Sequence, residues 1–220
     1  MRKKEKFVSV WHRILQALES LVHVLRIYPA WAKAYRWLRQ RKYEHLELPS
    51  QLNPREAQNR MNKIKWQKDT WREAWDSVGS PQWVQHCMNE IELCNTQPEG
   101  ALDCDDFTSW AVNTIDPTYE PYFFGQGWAP IVNGEAGFKA TGHAVCVVKM
   151  PYNGKLWHCG NWGLIGPFDT LRDVGDFICG NNVEHGIKRG KPLSWCLYTH
   201  DMKLVERGTG LPPQSKPGLM

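Results

Sequence analysis

The sequence predicts an α+β fold, in which helices pack on an antiparallel sheet and a basic helical segment comes first. Three observations support this fold class. Apolar residues recur at helical spacing in the first half of the 220-residue chain, short β-type runs separated by Gly, Pro and Asn follow from residue 140, and 42% of the residues are hydrophobic. Helices first and strands second is typical of α+β proteins, and the composition is that of a soluble domain with one main core.

The N-terminal segment, residues 1–45, carries eleven Lys or Arg against three Glu. Its apolar positions from Phe7 to Leu25 follow helical spacing, which predicts an amphipathic helix. Charged residues and His interrupt every apolar run, so neither a signal peptide nor a membrane span is predicted, and a cytoplasmic location follows. The segment can contact the main domain, a second copy, an anionic partner, a membrane surface or a virion, and no nucleic-acid motif accompanies its charge.

Residues 46–54 contain two prolines among polar residues and are predicted to be a linker. After it, Asn53 can cap a helix with Pro54 at its first position and Glu56 at its third, which predicts a helix to about residue 78. A second helix is predicted over residues 81–92. The main domain is therefore placed at residues 55–206, and the tail, residues 207–220, is predicted to be disordered.

The stretch LDCDDFTSW places Cys104 among three carboxylates at the start of a predicted helix. Asp103 or Asp105 can cap this helix, and Asp106 anchors its first turn. Backbone N–H groups and the helix dipole stabilise a thiolate at this position, which is how nucleophilic cysteines are commonly activated. The acids are then expected to cap the helix or to hold a cation, because bare carboxylates would oppose a thiolate.

The other six cysteines show no redox or zinc pattern, since none belongs to a C-x-x-C pair and no standard ligand spacing is present. All seven are expected to be reduced thiols. Cys146 and Cys159 are interpreted as small core residues.

A cysteine nucleophile needs a base, and His143 is the candidate because it opens the β-type run HAVCVVKM after a glycine. The following Asn153-Gly154 pair predicts a hairpin, here with a five-residue loop, 151–155. That register puts Asn161 on the same sheet face as His143, where it can orient the imidazole. Asp169 is the substitute if the register differs.

The sequence resembles a known family in four segments. These are KWQKDTWREAWDSVGSPQWVQ, LDCDDFTSWAV, GHAVCVVK and the strand ending HCGNWG, and they are similar to those of transglutaminase-like cysteine peptidases of bacteria and phages. The resemblance implies a papain/transglutaminase-like core, with Cys104 as nucleophile, His143 as general base and Asn161 as third triad member. It implies no required cofactor, although calcium-dependent members would use Asp103 and Asp105 as ligands. The chain departs from the family pattern at Leu102, where Gly is common, and at Asn161, where Asp is common.

The expected reaction is hydrolysis of a peptide or protein substrate through an acyl-enzyme. The Cys104 backbone N–H is one candidate oxyanion donor, and Gln97 is a second.

Two other functions remain open from the sequence. A CHAP-type peptidoglycan amidase of phages has a similar GHxxxV strand and a following Asn-Trp, although only 39 residues separate Cys104 from His143 here. The other is a binding or structural module of a phage particle that keeps the fold without turnover.

Overall fold

A computed structural model describes residues 43–66, 80–95, 102–132, 135–136, 141–180 and 190–214. The predicted N-terminal amphipathic helix and Gln97 lie outside the described residues, and only residues 43–45 of the basic segment lie within them. Within the described part, no helix has the length and apolar character needed to cross a bilayer.

Among the described residues, three α-helices precede the sheet: α1 (Pro54–Met61), α2 (Pro81–Cys94) and α3 (Cys104–Thr114). The predicted start of α1 is confirmed, because the Asn53 side chain accepts from the Glu56 N–H at 2.9 Å and the Glu56 carboxylate accepts from the Asn53 N–H at 3.0 Å. However, α1 ends after eight residues instead of continuing toward residue 78. Ser80 caps α2, which extends two residues past its predicted end.

The strands form one antiparallel sheet with six strands in the order β5-β4-β3-β1-β6-β7, and the short β2 pairs with the end of β1. The strands are β1 (Tyr122–Val132), β2 (Glu135–Ala136), β3 (Thr141–Lys149), β4 (Leu156–Gly160), β5 (Gly163–Phe168), β6 (Gly190–Tyr198) and β7 (Leu204–Thr209). A fourth helix, α4 (Leu171–Gly180), lies between β5 and β6 in sequence. The α+β class is confirmed.

The sheet separates two hydrophobic cores. Cys146 and Val148 of β3 pack with α1, α2 and α3, whereas Val145 and Val147 of the same strand pack with α4. This alternation follows from the two-residue period of a strand. We call the first side the three-helix face and the second the α4 face.

The predicted linker and tail both pack on the domain. Leu52 forms a parallel bridge with Ile115. The Leu52 N–H donates to Thr114 O at 3.0 Å, and Leu52 O accepts from the Asp116 N–H at 2.9 Å. Residues 204–209 form β7, and Leu211 packs on the core of the α4 face. The domain therefore includes at least residues 52–211, and only residues 215–220 of the tail fall outside the described part.

The hairpin between β3 and β4 differs from the predicted one by one residue. Lys149 lies opposite Leu156, and the Met150 N–H donates to Lys155 O at 2.9 Å, so the loop has four residues, 151–154. A one-residue change of register moves every later side chain of the strand to the other face. The predicted arrangement of His143 and Asn161 depended on the longer loop.

Candidate active site

The start of α3 confirms the predicted helix around the candidate nucleophile. Asp103 is the N-cap, and its carboxylate accepts from the Asp105 N–H at 3.3 Å. The Asp106 carboxylate accepts in return from the Asp103 N–H at 3.4 Å, which completes a capping box. Cys104 is the first helical residue, so its thiol lies at the positive end of the helix.

Substitution of Asp103 tests this capping role. Asp103→Ala is expected to lower the free energy of unfolding by about 1 kcal/mol, whereas Asp103→Asn, which can cap equally well, should change it little. Urea unfolding of both variants is the measurement. Equal losses in the two variants would contradict the cap assignment.

The three carboxylates can also hold a cation. Asp103, Asp105 and Asp106 each bring one oxygen to within 4.8 Å of the others, and the last two are only 4% exposed. Calcium takes six to eight oxygen ligands. The cluster fits calcium in ligand type and charge, and it supplies part of such a shell.

Cys104 is half-buried against the core of the three-helix face. All seven cysteines lie in the described part and are thiols. Burial raises the pKa of Cys159 to about 12 and that of Cys146 well above its ordinary value. These two buried thiols are poor nucleophiles at neutral pH, so neither competes with Cys104 for that role.

His143 does not lie beside Cys104. It pairs with Gln126 across β1 and projects, like Val145, from the α4 face, whereas Cys104 packs on the three-helix face. The predicted contact between nucleophile and base is therefore not formed in this structure. The cause is the two-residue alternation of β3. Val145 and Val147 are buried on the α4 face, so His143, two residues before Val145, points to that face as well.

On the α4 face, His143 belongs to an aromatic cluster. The Trp162 ring stacks on its imidazole with centroids 3.9 Å apart, and the His158 ring lies 6.0 Å away. His143 is 6% exposed and His158 is fully buried. Burial lowers the pKa of both, that of His158 to about 4, so both imidazoles are neutral at pH 7.

Neither predicted orienting residue is hydrogen-bonded to His143. Asn161 lies in the two-residue turn after β4, and Asp169 forms an exposed ion pair with Lys155. Asp169 follows β5 near the Leu156–Phe168 pair, whereas the Asn161 turn lies beyond the Gly160–Gly163 pair at the other end of these strands. Asp169 therefore lies too far along these strands to replace Asn161 as the orienting residue in this structure.

Cys104 and His143 nevertheless lie toward the same end of the sheet. The Asn113 side chain at the other end of α3 donates to His200 O at 3.5 Å, next to the turn between β6 and β7. That turn neighbours the start of β1 and hence the end of β3, since Tyr122 pairs with Val147. Because α3 packs mainly on β3, its Cys104 end points toward the start of β3.

Sequence reasoning did not bring Gln58, His158 and Trp162 together near this site, and it interpreted Trp162 only as a core or groove-lining residue. A polar residue at an apolar position of a helix or strand is the only sequence signal for the first two. Gln58 is 4% exposed in α1, and His158 sits between Trp157 and Cys159 in β4. Such residues must find buried partners, which makes them informative.

Comparisons with protein-family models, with curated proteins and with solved structures found no match to this chain.

Proposed function

We propose that this protein is a thiol-dependent hydrolase with a papain/transglutaminase-like core and with Cys104 as nucleophile. One observation carries the proposal: Cys104 is the first residue of a helix that packs on the central strand β3, and the helix N-terminus lies toward the end of β3 that contains His143. This location provides the positive electrostatic potential that a thiolate needs.

The proposal requires His143 on the three-helix face during catalysis. A one-residue shift in the pairing of the first residues of β3 would move the imidazole there. In the described arrangement, His143 Nε2 is buried and has no hydrogen-bond partner among the described residues, which costs about 1–3 kcal/mol. The stack on Trp162 stabilises this position of the imidazole by only about 1 kcal/mol. These two contributions favour release of the imidazole from the α4 face, and the proposed shift also changes the pairing of residues 141–143 with β1.

In the shifted arrangement, His143 takes the proton of the Cys104 thiol, and the thiolate attacks the carbonyl carbon of a peptide or side-chain amide. His143 then gives its proton to the leaving amine, and water hydrolyses the thioester. The Asn161 side-chain oxygen accepts from the second imidazole N–H and orients the ring. The Cys104 backbone N–H is the proposed oxyanion donor, with Gln97 as the proposed second donor.

We also propose that the carboxylates of Asp103 and Asp105 are calcium ligands. We expect added calcium to raise the melting temperature of the wild-type protein by about 3 °C, because a ligand of the folded state stabilises it. Asp103→Asn keeps the helix cap but removes one charge, so its response should be much smaller. Equal responses of the two proteins in a calcium titration would contradict the assignment.

A phage module without turnover is the second candidate, favoured by the position of His143 on the α4 face. In that case residues 1–45 would attach it to a virion, a membrane surface or another copy of the chain. The deciding experiment compares wild type, Cys104→Ala and Cys159→Ala on a peptide library and on purified cell walls.

Cleavage of peptides that depends on Cys104 and not on Cys159 would support the proposed hydrolase. Lysis of cell walls with the same dependence would favour the CHAP-type amidase instead. Identical behaviour of all three proteins on every substrate would leave the module without turnover as the function.

A further inference from the structure

The Gln58 side chain joins α1 to the end of β4 through a buried amide network. Its Nε2 donates to Gly160 O at 2.9 Å, and its Oε1 accepts from the Gly160 N–H at 3.2 Å. The Cys159 thiol donates to the same Oε1 at 3.5 Å, and Nε2 also donates to Asn62 Oδ1 at 2.7 Å. The amide thus bonds to both backbone groups of Gly160, as a neighbouring strand would.

Gly160 is the last residue of β4, so this contact sets where the following turn begins. That turn consists of Asn161 and Trp162, and Gly163 pairs with Gly160 on its far side. The Gly163 carbonyl accepts from His158 Nδ1 at 3.1 Å. Because a carbonyl only accepts, the proton of the neutral His158 ring is on Nδ1. The turn is therefore held on one side by Gln58 and on the other by His158.

We propose, on the basis of the proposed hydrolase, that Gln58 is a positioning residue for Asn161. It holds the strand end that presents the Asn161 amide, and it does so without touching the substrate or Cys104. A side chain with two bonds to one backbone residue restricts that residue more than a packing contact does. Loss of Gln58 should therefore release the turn and remove the orienting effect of Asn161 on the imidazole.

The chain offers a matched control in Gln85 of α2. Gln85 is also buried, and its Nε2 donates to Asn89 Oδ1 at 2.7 Å, with the same four-residue spacing as the Gln58–Asn62 pair. Its Oε1 accepts from Trp110 Nε1 at 3.0 Å, in the core and not at the turn. Gln58→Leu and Gln85→Leu should each lower stability, but only the first should disturb residues 160–162.

The experiment combines amide hydrogen exchange at residues 160–162 with a double-mutant cycle of Gln58→Leu and Asn161→Ala on kcat/KM. We expect exchange there to rise on the order of tenfold in Gln58→Leu and to stay unchanged in Gln85→Leu. We also expect kcat to fall about tenfold with little change in KM, and the double variant to be no slower than Asn161→Ala.

Unchanged exchange in Gln58→Leu, or additive losses in the cycle, would overturn the positioning role. Absence of any turnover that depends on Cys104 would overturn the proposed hydrolase and with it this role. The exchange measurement still shows separately whether Gln58 holds the turn, so the two failures are distinguishable.

Discussion

Replacing Cys104 by alanine is expected to lower kcat/KM on a cleaved peptide by a factor of about 10³ or more, because the alanine side chain cannot form the acyl-enzyme. Stability should change little, since the side chain is small and half-buried. Progress curves and melting temperatures of the purified variant are the measurements.

The control for this experiment is Cys159→Ala, which removes a thiol that burial holds protonated. It should retain activity within about threefold of wild type, since its thiol does not form the acyl-enzyme and Gln58 keeps both of its bonds to Gly160 without it. A Cys104→Ala variant that keeps more than a tenth of wild-type activity would contradict the nucleophile assignment, whatever the behaviour of Cys159→Ala.

The second large effect is a loss of stability in acid. The pKa of His158 falls from an ordinary value of 6.5 to about 4 on folding, because burial disfavours the imidazolium. The unfolded chain therefore binds the proton more tightly, and the stability present above pH 6.5 is lost as the pH falls toward 4. The loss from this group alone is about 2 kcal/mol at pH 5. His143 shifts in the same direction and adds to it.

Urea unfolding of wild type and His158→Gln between pH 7.5 and pH 5 measures this effect. The variant should lose roughly 2 kcal/mol less than wild type over the interval, since glutamine does not titrate. His45→Gln, at an exposed position, should behave like wild type. Parallel pH profiles for wild type and His158→Gln would show that His158 is not buried as described.

Features encoded by neighbouring residues were predictable from the sequence. The caps at Asn53 and Asp103 depend on residues two or three positions apart. The first was predicted, and Asp103 was one of the two predicted candidates for the second. The start of α4 has the same kind of signal. The Asp173 carboxylate accepts from the Thr170 N–H, and the Thr170 hydroxyl accepts from the Asp173 N–H. Two glycines in LRDVGDFICG obscured this helix in the sequence. Similarly, Gly125 and Gly127 interrupt the strand pattern of β1, which was missed.

Features that depend on register were not predictable. Whether Lys149 or Met150 lies opposite Leu156 is a difference of one residue in a loop, and both loops are compatible with Asn153-Gly154. The sheet face of His143 is equally sensitive, because the residues directly before and after it in the strand both point to the opposite core. The sequence therefore identified the chemical groups of the candidate site, but not which of them lie on the same face.

The most direct test of Cys104 as nucleophile and His143 as base is the pH dependence of Cys104 alkylation by iodoacetamide, followed residue by residue by mass spectrometry. Exposed Cys94 in the same molecule is the internal reference. We predict that at about pH 6 Cys104 reacts at least about tenfold faster than Cys94, and that His143→Ala removes this advantage. Alkylation of Cys104 no faster than that of Cys94, or a rate unaffected by His143→Ala, would contradict the proposed nucleophile and base.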